Sequence, residues 1–153
     1  MTTVTYSTKH RMMAGDKMAC EGNNKTGRMT KIFRIGGCLV GFSGSADVCM
    51  ALRHWFESGG DPESYPETQS DEMQASMLVV TPDNKVMFYE RFPTPIIMEN
   101  EYFAIGSGRD FALAILHLGQ DPAMAVRVAS ELDCFTGSGV DVLHLEEPVA
   151  MLS

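Results

Sequence analysis

At 153 residues the chain has room for one domain with a core of its own. A formal net charge of −8 argues against nucleic acid as a partner, because a phosphate backbone repels such a surface. The longest apolar runs, such as Met77-Leu78-Val79-Val80, are far too short to span a bilayer, so no membrane is expected either. Cys20, Cys38, Cys49 and Cys134 are scattered without C-x-x-C or metal-ligand spacing, and no apolar leader precedes them. Reduced thiols, no metal site and a cytoplasmic location are the expectation. The 12 methionines read as soft core filler.

Thr2 to Tyr6 place β-branched and aromatic residues at the very start, with Thr3, Thr5 and Ser7 on one face and Val4 and Tyr6 nearer the other. That predicts a strand from almost the first residue. Chain ends fray unless something ties them down, so this strand needs a reason. Once Met1 is removed, Thr2 carries a hydroxyl and a free α-amine together. An amine with an ordinary pKa near ~8 can serve as the base for that hydroxyl. The same residues also read as a plain polar strand.

Lys9-His10-Arg11 is a polar reversal into Met12-Met13-Ala14, a hairpin ending at Gly15-Asp16. Residues 17–28 are expected to be loop, with Gly22-Asn23-Asn24 and Gly27 as turns. Met29 to Ile35 alternates, turns at Gly36-Gly37 and returns along Cys38 to Phe42, which puts Lys31 on a strand or at its start. Ser43-Gly44-Ser45-Ala46-Asp47 ends that strand in small residues. Val48, Leu52, Trp55 and Phe56 then follow at helical spacing up to Gly59-Gly60. Such a tight corner leaves backbone N–H groups for an anion. Residues 61–72, acidic and holding two prolines, read as an exposed connector.

Ser76 to Val80 and Lys85 to Tyr89 flank a Pro82-Asp83-Asn84 turn as a third hairpin. Glu99 to Ile105 is a further strand, broken at Gly106-Ser107-Gly108. A helix from Arg109 carries Phe111, Leu113, Ala114, Leu116 and Leu118 toward a sheet and ends near Gly119. Asp121 caps a second helix, with Pro122 in its first position and Ala125, Val126, Ala129 and Leu132 inward. Asp133 to Gly139 is loop, and Val140 to Leu145 is the last strand. Hairpins with segregated helices predict one α+β domain over residues 1–153. His10, His54, His117 and His144 share no spacing and read as structural.

In order along the chain stand Thr2-Thr3-Val4, Ala14-Gly15-Asp16, Thr30-Lys31-Ile32, Gly41-Phe42-Ser43-Gly44-Ser45-Ala46-Asp47 and Ala104-Ile105-Gly106-Ser107-Gly108. No one of these is specific; the five in sequence, after an initiator Met, resemble the proteasome-type N-terminal-nucleophile hydrolases, nearest the HslV branch. The resemblance covers nearly the whole chain. It implies an αββα sandwich and a threonine peptidase with Thr2 as nucleophile. It implies Asp16 paired with a catalytic Lys31, Ser107 beside the α-amine, and Gly44 giving its N–H to the oxyanion. Asp133 and Thr136 match a supporting aspartate and hydroxyl more loosely, because that loop varies in length. Met29, Phe33 and Phe42 fall near the specificity pocket, which suggests an apolar residue on the acyl side of the scissile bond.

The chemistry asks for these residue types. An ammonium at Lys31 disfavours a second positive charge, so the Thr2 amine stays neutral and basic near pH 7. Asp16 orients that lysine. The resemblance further implies a homo-oligomeric ring, unfolded polypeptide or peptide as substrate, an ATP-dependent unfoldase as partner, and no cofactor beyond a structural monovalent cation. The chain departs from the pattern where residues 61–72 replace a longer helical stretch, and where Arg109-Asp110 replace smaller residues. Two alternatives stand beside the peptidase: a catalytically silent ring subunit, and an amidase of the same class acting on a small amide.

Overall fold

The computed structural model describes residues 2–146. From the N-terminus come β1 (Val4–Ser7), β2 (Met12–Asp16), β3 (Met18–Glu21), β4 (Asn24–Arg28), β5 (Ile32–Ile35) and β6 (Cys38–Gly44). Helix α1 (Ala46–Glu57) follows, then β7 (Ala75–Val80), β8 (Val86–Tyr89), β9 (Ile96–Met98) and β10 (Tyr102–Ile105). Helices α2 (Arg109–His117) and α3 (Pro122–Leu132) lead into β11 (Val140–His144). All strand pairs are antiparallel, in a sheet ordered β10-β1-β2-β11, another ordered β5-β6-β7-β8-β9, and the separate β3-β4 hairpin. The fold is α+β, as its hairpins and segregated helices predict.

The chain start is held because β1 is a central strand. Its four residues are all buried, with β2 on one side and β10 on the other. Strand periodicity then sorts the core. Val4, Tyr6 and Met13 meet Leu39, Leu78 and Val80 in one cluster, so the two larger sheets face each other. The alternate residues Val40, Phe42, Met77 and Val79 pack instead on Val48, Leu52 and Trp55 of α1. Each aliphatic side chain buried this fully contributes about 1.5–3 kcal/mol. On the other sheet, Ala104 packs against Ala112 and Leu116 of α2 and Ala125 and Ala129 of α3. Ala14 meets Ala123 and Val126.

Three expectations are corrected. Residues 17–28 are not loop but the β3–β4 hairpin, turning at Gly22-Asn23 with Gly22 at φ 58°. All five β4 residues are exposed, so no apolar alternation marks the strand. The stretch Glu99 to Ile105 is shorter as a strand, and β9 lies before it. Phe111, Leu118 and Leu132 do not point inward; they are 41 %, 73 % and 60 % exposed. Helix α2 buries only Ala112 and Leu116, one turn apart, and Leu132 ends α3. The capping of α3 is as expected, with Met124 N–H donating to Asp121 Oδ1 at 2.8 Å. Residues 61–72 hold a single 3-10 turn, Pro62–Ser64.

Candidate active site

Strand ends bring the singled-out residues together. Asp16 closes β2, Lys31 immediately precedes β5, Gly44 closes β6, and Gly106-Ser107-Gly108 follows β10. Thr2, two residues ahead of β1, is only 4 % exposed. The chain after β10 wraps it closely. A Cβ built on Gly106, which has φ +100°, would lie 1.9 Å from Thr2 O, and Gly108 N–H donates to Thr2 O at 3.3 Å. Glycine is needed there for both conformation and room.

Asp16 is 0 % exposed, yet its carboxylate is fully engaged. Oδ1 accepts from Lys31 Nζ at 2.8 Å and Thr3 N–H at 3.0 Å. Oδ2 accepts from Gly137 N–H at 3.1 Å and Met18 N–H at 3.3 Å. Burial of a carboxylate is tolerable only with such donors. Lys31 itself is 4 % exposed. Its backbone is fixed by Phe42 N–H donating to Lys31 O at 3.0 Å, and the preceding segment by Met29 N–H donating to Lys17 O at 2.8 Å.

A second group of polar side chains adjoins Thr2. Its N–H donates to Ser107 Oγ at 3.2 Å, and Ser107 Oγ donates to Asp133 Oδ2 at 2.6 Å. Thr136 Oγ1 donates to the same oxygen at 2.6 Å. Among the described residues, no buried side-chain nitrogen or oxygen lacks a hydrogen-bond partner. Burial by itself would raise the Asp133 pKa, but the Ser107 and Thr136 hydroxyls, together with a backbone hydrogen bond from Phe135 and nearby positive charge, hold the carboxyl below its ordinary 3.8. A carboxyl depressed on folding adds stability that is whole above pH 3.8 and is lost as pH falls through the folded value. Asp133→Asn is therefore expected to flatten the acid side of the stability curve below about pH 4, read as Tm between about pH 2 and about pH 6.

Two cavities open beside these groups. One of about 830 Å³ is lined by Lys31 and by Gly44, Ser45 and Ala46, and is walled by Met18, Cys20 and Glu21 of the β3–β4 hairpin. Another of about 620 Å³ is lined by Ser107, Gly106 and Arg109. Gly44 has φ +120°, and a Cβ there would lie 2.1 Å from Gln74 O, so no other residue suits the corner. The hairpin wall was missed by sequence reasoning. Gly22-Asn23 between two short runs is a two-residue hairpin signal, masked by the polar β4.

Met29, Phe33 and Phe42 do share a small pocket, together with Lys31, Cys49 and Arg53, with a cavity volume of only about 20 Å³. Phe33 and Phe42 meet edge-on with centroids 5.9 Å apart. The Arg53 guanidinium lies 3.9 Å over the Phe33 ring and bonds Glu57 Oε1 at 2.7 Å. Burial pushes the Cys49 thiol up to about 11 against the pull of Lys31, so it is no thiolate at neutral pH. Among the described residues, no three His, Cys, Asp or Glu side chains gather as a metal site would need. Among the same residues, no helix is long and apolar enough to cross a membrane.

No protein-family model matches the chain, and no curated protein sequence does. Solved structures match it well. Thiobacillus denitrificans BPH in complex with epoxomicin gives a TM-score of 0.71 at 20 % identity, over 95 % of this chain and 100 % of that one. A further structure of Thiobacillus denitrificans BPH gives 0.63 at 19 %, over 96 % and 99 %. The fold is of the HslV type. Eukaryotic HslV from Trypanosoma brucei gives 0.71 at 22 % identity, over 92 % of this chain and 97 % of that one.

Proposed function

We propose that the chain is a threonine-type peptidase of the proteasome β type, with Thr2 as nucleophile once Met1 is removed. One observation carries this reading: the Thr2 nitrogen sits 3.2 Å from Ser107 Oγ, which is itself tied to Asp133, while Lys31 is held on Asp16 beside Thr3. In this reading the free Thr2 amine takes the proton of its own hydroxyl as Oγ1 attacks the peptide carbonyl carbon. The C–N bond then breaks, that proton passes to the leaving amine, and an ester remains on Thr2. Water, giving a proton to the same amine, adds to the ester, releases the acid and restores the hydroxyl. The Lys31 ammonium disfavours a protonated amine before attack. Gly44 N–H stabilises the oxyanion, a contribution commonly about 3 kcal/mol.

Nucleophile, base and oxyanion donor all belong to the chain, so the reaction needs no cofactor, and a monovalent cation would be structural. The layers run helix, sheet, sheet, helix. Unfolded polypeptide enters the larger cleft, and the nearly filled pocket between Phe33 and Phe42 favours a small apolar residue at the scissile bond. Phe92, Ile96, Leu118 and Leu132 are 66 %, 54 %, 73 % and 60 % exposed, which supports subunit contacts in a closed homo-oligomeric ring. An ATP-driven unfoldase in the same cytoplasmic compartment would supply substrate.

Epoxomicin, named in the complex of Thiobacillus denitrificans BPH, is the probe of choice. Intact-mass measurement should show loss of Met1 and then one added inhibitor per chain. Light scattering should give an assembly of about six or more subunits. Retained Met1, or a processed chain that takes no label and cleaves no peptide, makes this a silent ring subunit. A monomer at micromolar concentration ends the ring.

A further inference from the structure

We infer that Thr3 is a positioning residue that locks the two halves of the site together; the role rests on the reading of Thr2 as nucleophile. Thr3 is 0 % exposed and touches both halves. Its N–H donates at 3.0 Å to Asp16 Oδ1, the oxygen that also takes Lys31 Nζ, and its C=O accepts Asp16 N–H at 3.1 Å. Its Oγ1 lies 2.7 Å from Thr136 Oγ1. Proton accounting fixes the direction of that bond. Thr136 gives its single hydroxyl proton to Asp133 Oδ2 at 2.6 Å, so the proton between the two threonines belongs to Thr3. Ser107 likewise gives its proton to Asp133 and so receives the Thr2 N–H.

The link has no slack. A Cβ built on Gly108 would lie 2.1 Å from Thr3 Oγ1 and 2.9 Å from Thr136 Oγ1, so the two hydroxyls meet only because residue 108 has no side chain. Through Thr3, a shift of the Lys31–Asp16 pair is felt at Ser107–Asp133, and the reverse. Removing the Thr3 hydroxyl frees Thr136 to turn away from Asp133. The carboxylate then leans harder on Ser107, which becomes a better acceptor for the Thr2 amine and raises its basicity.

The test uses the processed full-length chain, a fluorogenic peptide, and Thr3→Val and Thr3→Ser. Valine keeps shape and strand preference without the hydroxyl. Thr3→Val should lower kcat about tenfold with KM unchanged, since Thr3 contacts no substrate, and should move the acid limb of kcat/KM to higher pH. Thr3→Ser should restore both. Thr136→Val cuts the same link from its other end and should give the same shift, with no further loss in the double variant. Wild-type kcat and pH limb in Thr3→Val overturn the role of Thr3 while leaving an active Thr2. A wild-type chain that neither cleaves peptide nor takes epoxomicin overturns both. If Thr3→Val fails to fold, a wild-type pH limb in Thr136→Val overturns the inference.

Discussion

Lys31→Ala is expected to lower peptide hydrolysis by at least about 10³-fold, the scale of losing an essential acid–base partner. In the proposed mechanism the substitution removes the ammonium that keeps a second positive charge off the Thr2 amine, so that base is spent on a solvent proton near neutral pH. It also strands Asp16, which is 0 % exposed and loses one of its four donors. Breaking a buried pair costs about 3–5 kcal/mol, and three remaining backbone N–H donors put this case near the lower end. Tm should fall by about 6–12 °C at about 3 kcal/mol, yet the chain should still fold. Lys31→Arg keeps the charge but not the compact head that fits against Asp16 Oδ1, so it should be poor too. Activity assays at matched folded fraction separate the two effects. Hydrolysis that persists in folded Lys31→Ala would sink the charge argument and leave Lys31–Asp16 a structural pair.

Thr2→Ala removes the proposed nucleophile and leaves an alanine start that aminopeptidase still exposes after Met1. It should be inactive and should take no epoxomicin. It should also keep its fold, because a hydroxyl ahead of β1 adds little to a core built from Val4, Tyr6 and Met13. The Thr2 N–H bond to Ser107 uses the backbone and survives the change. Thr2→Ser should retain partial activity, having the hydroxyl without the methyl that restricts its rotamer. Intact mass after inhibitor exposure reads all three proteins. Hydrolysis surviving in Thr2→Ala, or label appearing on Cys20 or Ser107, means that Thr2 is not the nucleophile. Cys49 is a poor rival, since burial leaves its thiol protonated at neutral pH.

Most of the elements were legible because their signals are local. Gly36-Gly37 turns β5 into β6, Pro82-Asp83-Asn84 turns β7 into β8, and Asp121-Pro122 starts α3. The ordered set Thr2, Asp16, Lys31, Gly44 and Ser107 was also readable, through a resemblance whose weight lies in order rather than in any one motif. The β3–β4 hairpin was not. A strand with five exposed polar residues has no apolar face, and its pairing is a fact about a partner strand rather than about its own composition. Exposure of Phe111, Leu118 and Leu132 was illegible for a related reason. Helical spacing marks a face, while the neighbours decide whether anything covers it.

By itself the sequence determined most of the turns and helix starts, and which short segments carry a hydroxyl, a carboxylate and an ammonium. Those outcomes follow from glycine, proline and apolar period within a few residues. Only the tertiary structure decided that Asp16 would be buried with four donors, two of them from Thr3 and Gly137 far along the chain. Only it joined Ser107, Asp133, Thr136 and Thr3 into one network across the sequence separation of 133 from Thr3 to Thr136. It also nearly filled the pocket at Phe33 by laying Arg53 on the ring. Such contacts depend on where strand ends converge once both sheets have buried their apolar faces, and no local pattern encodes that convergence.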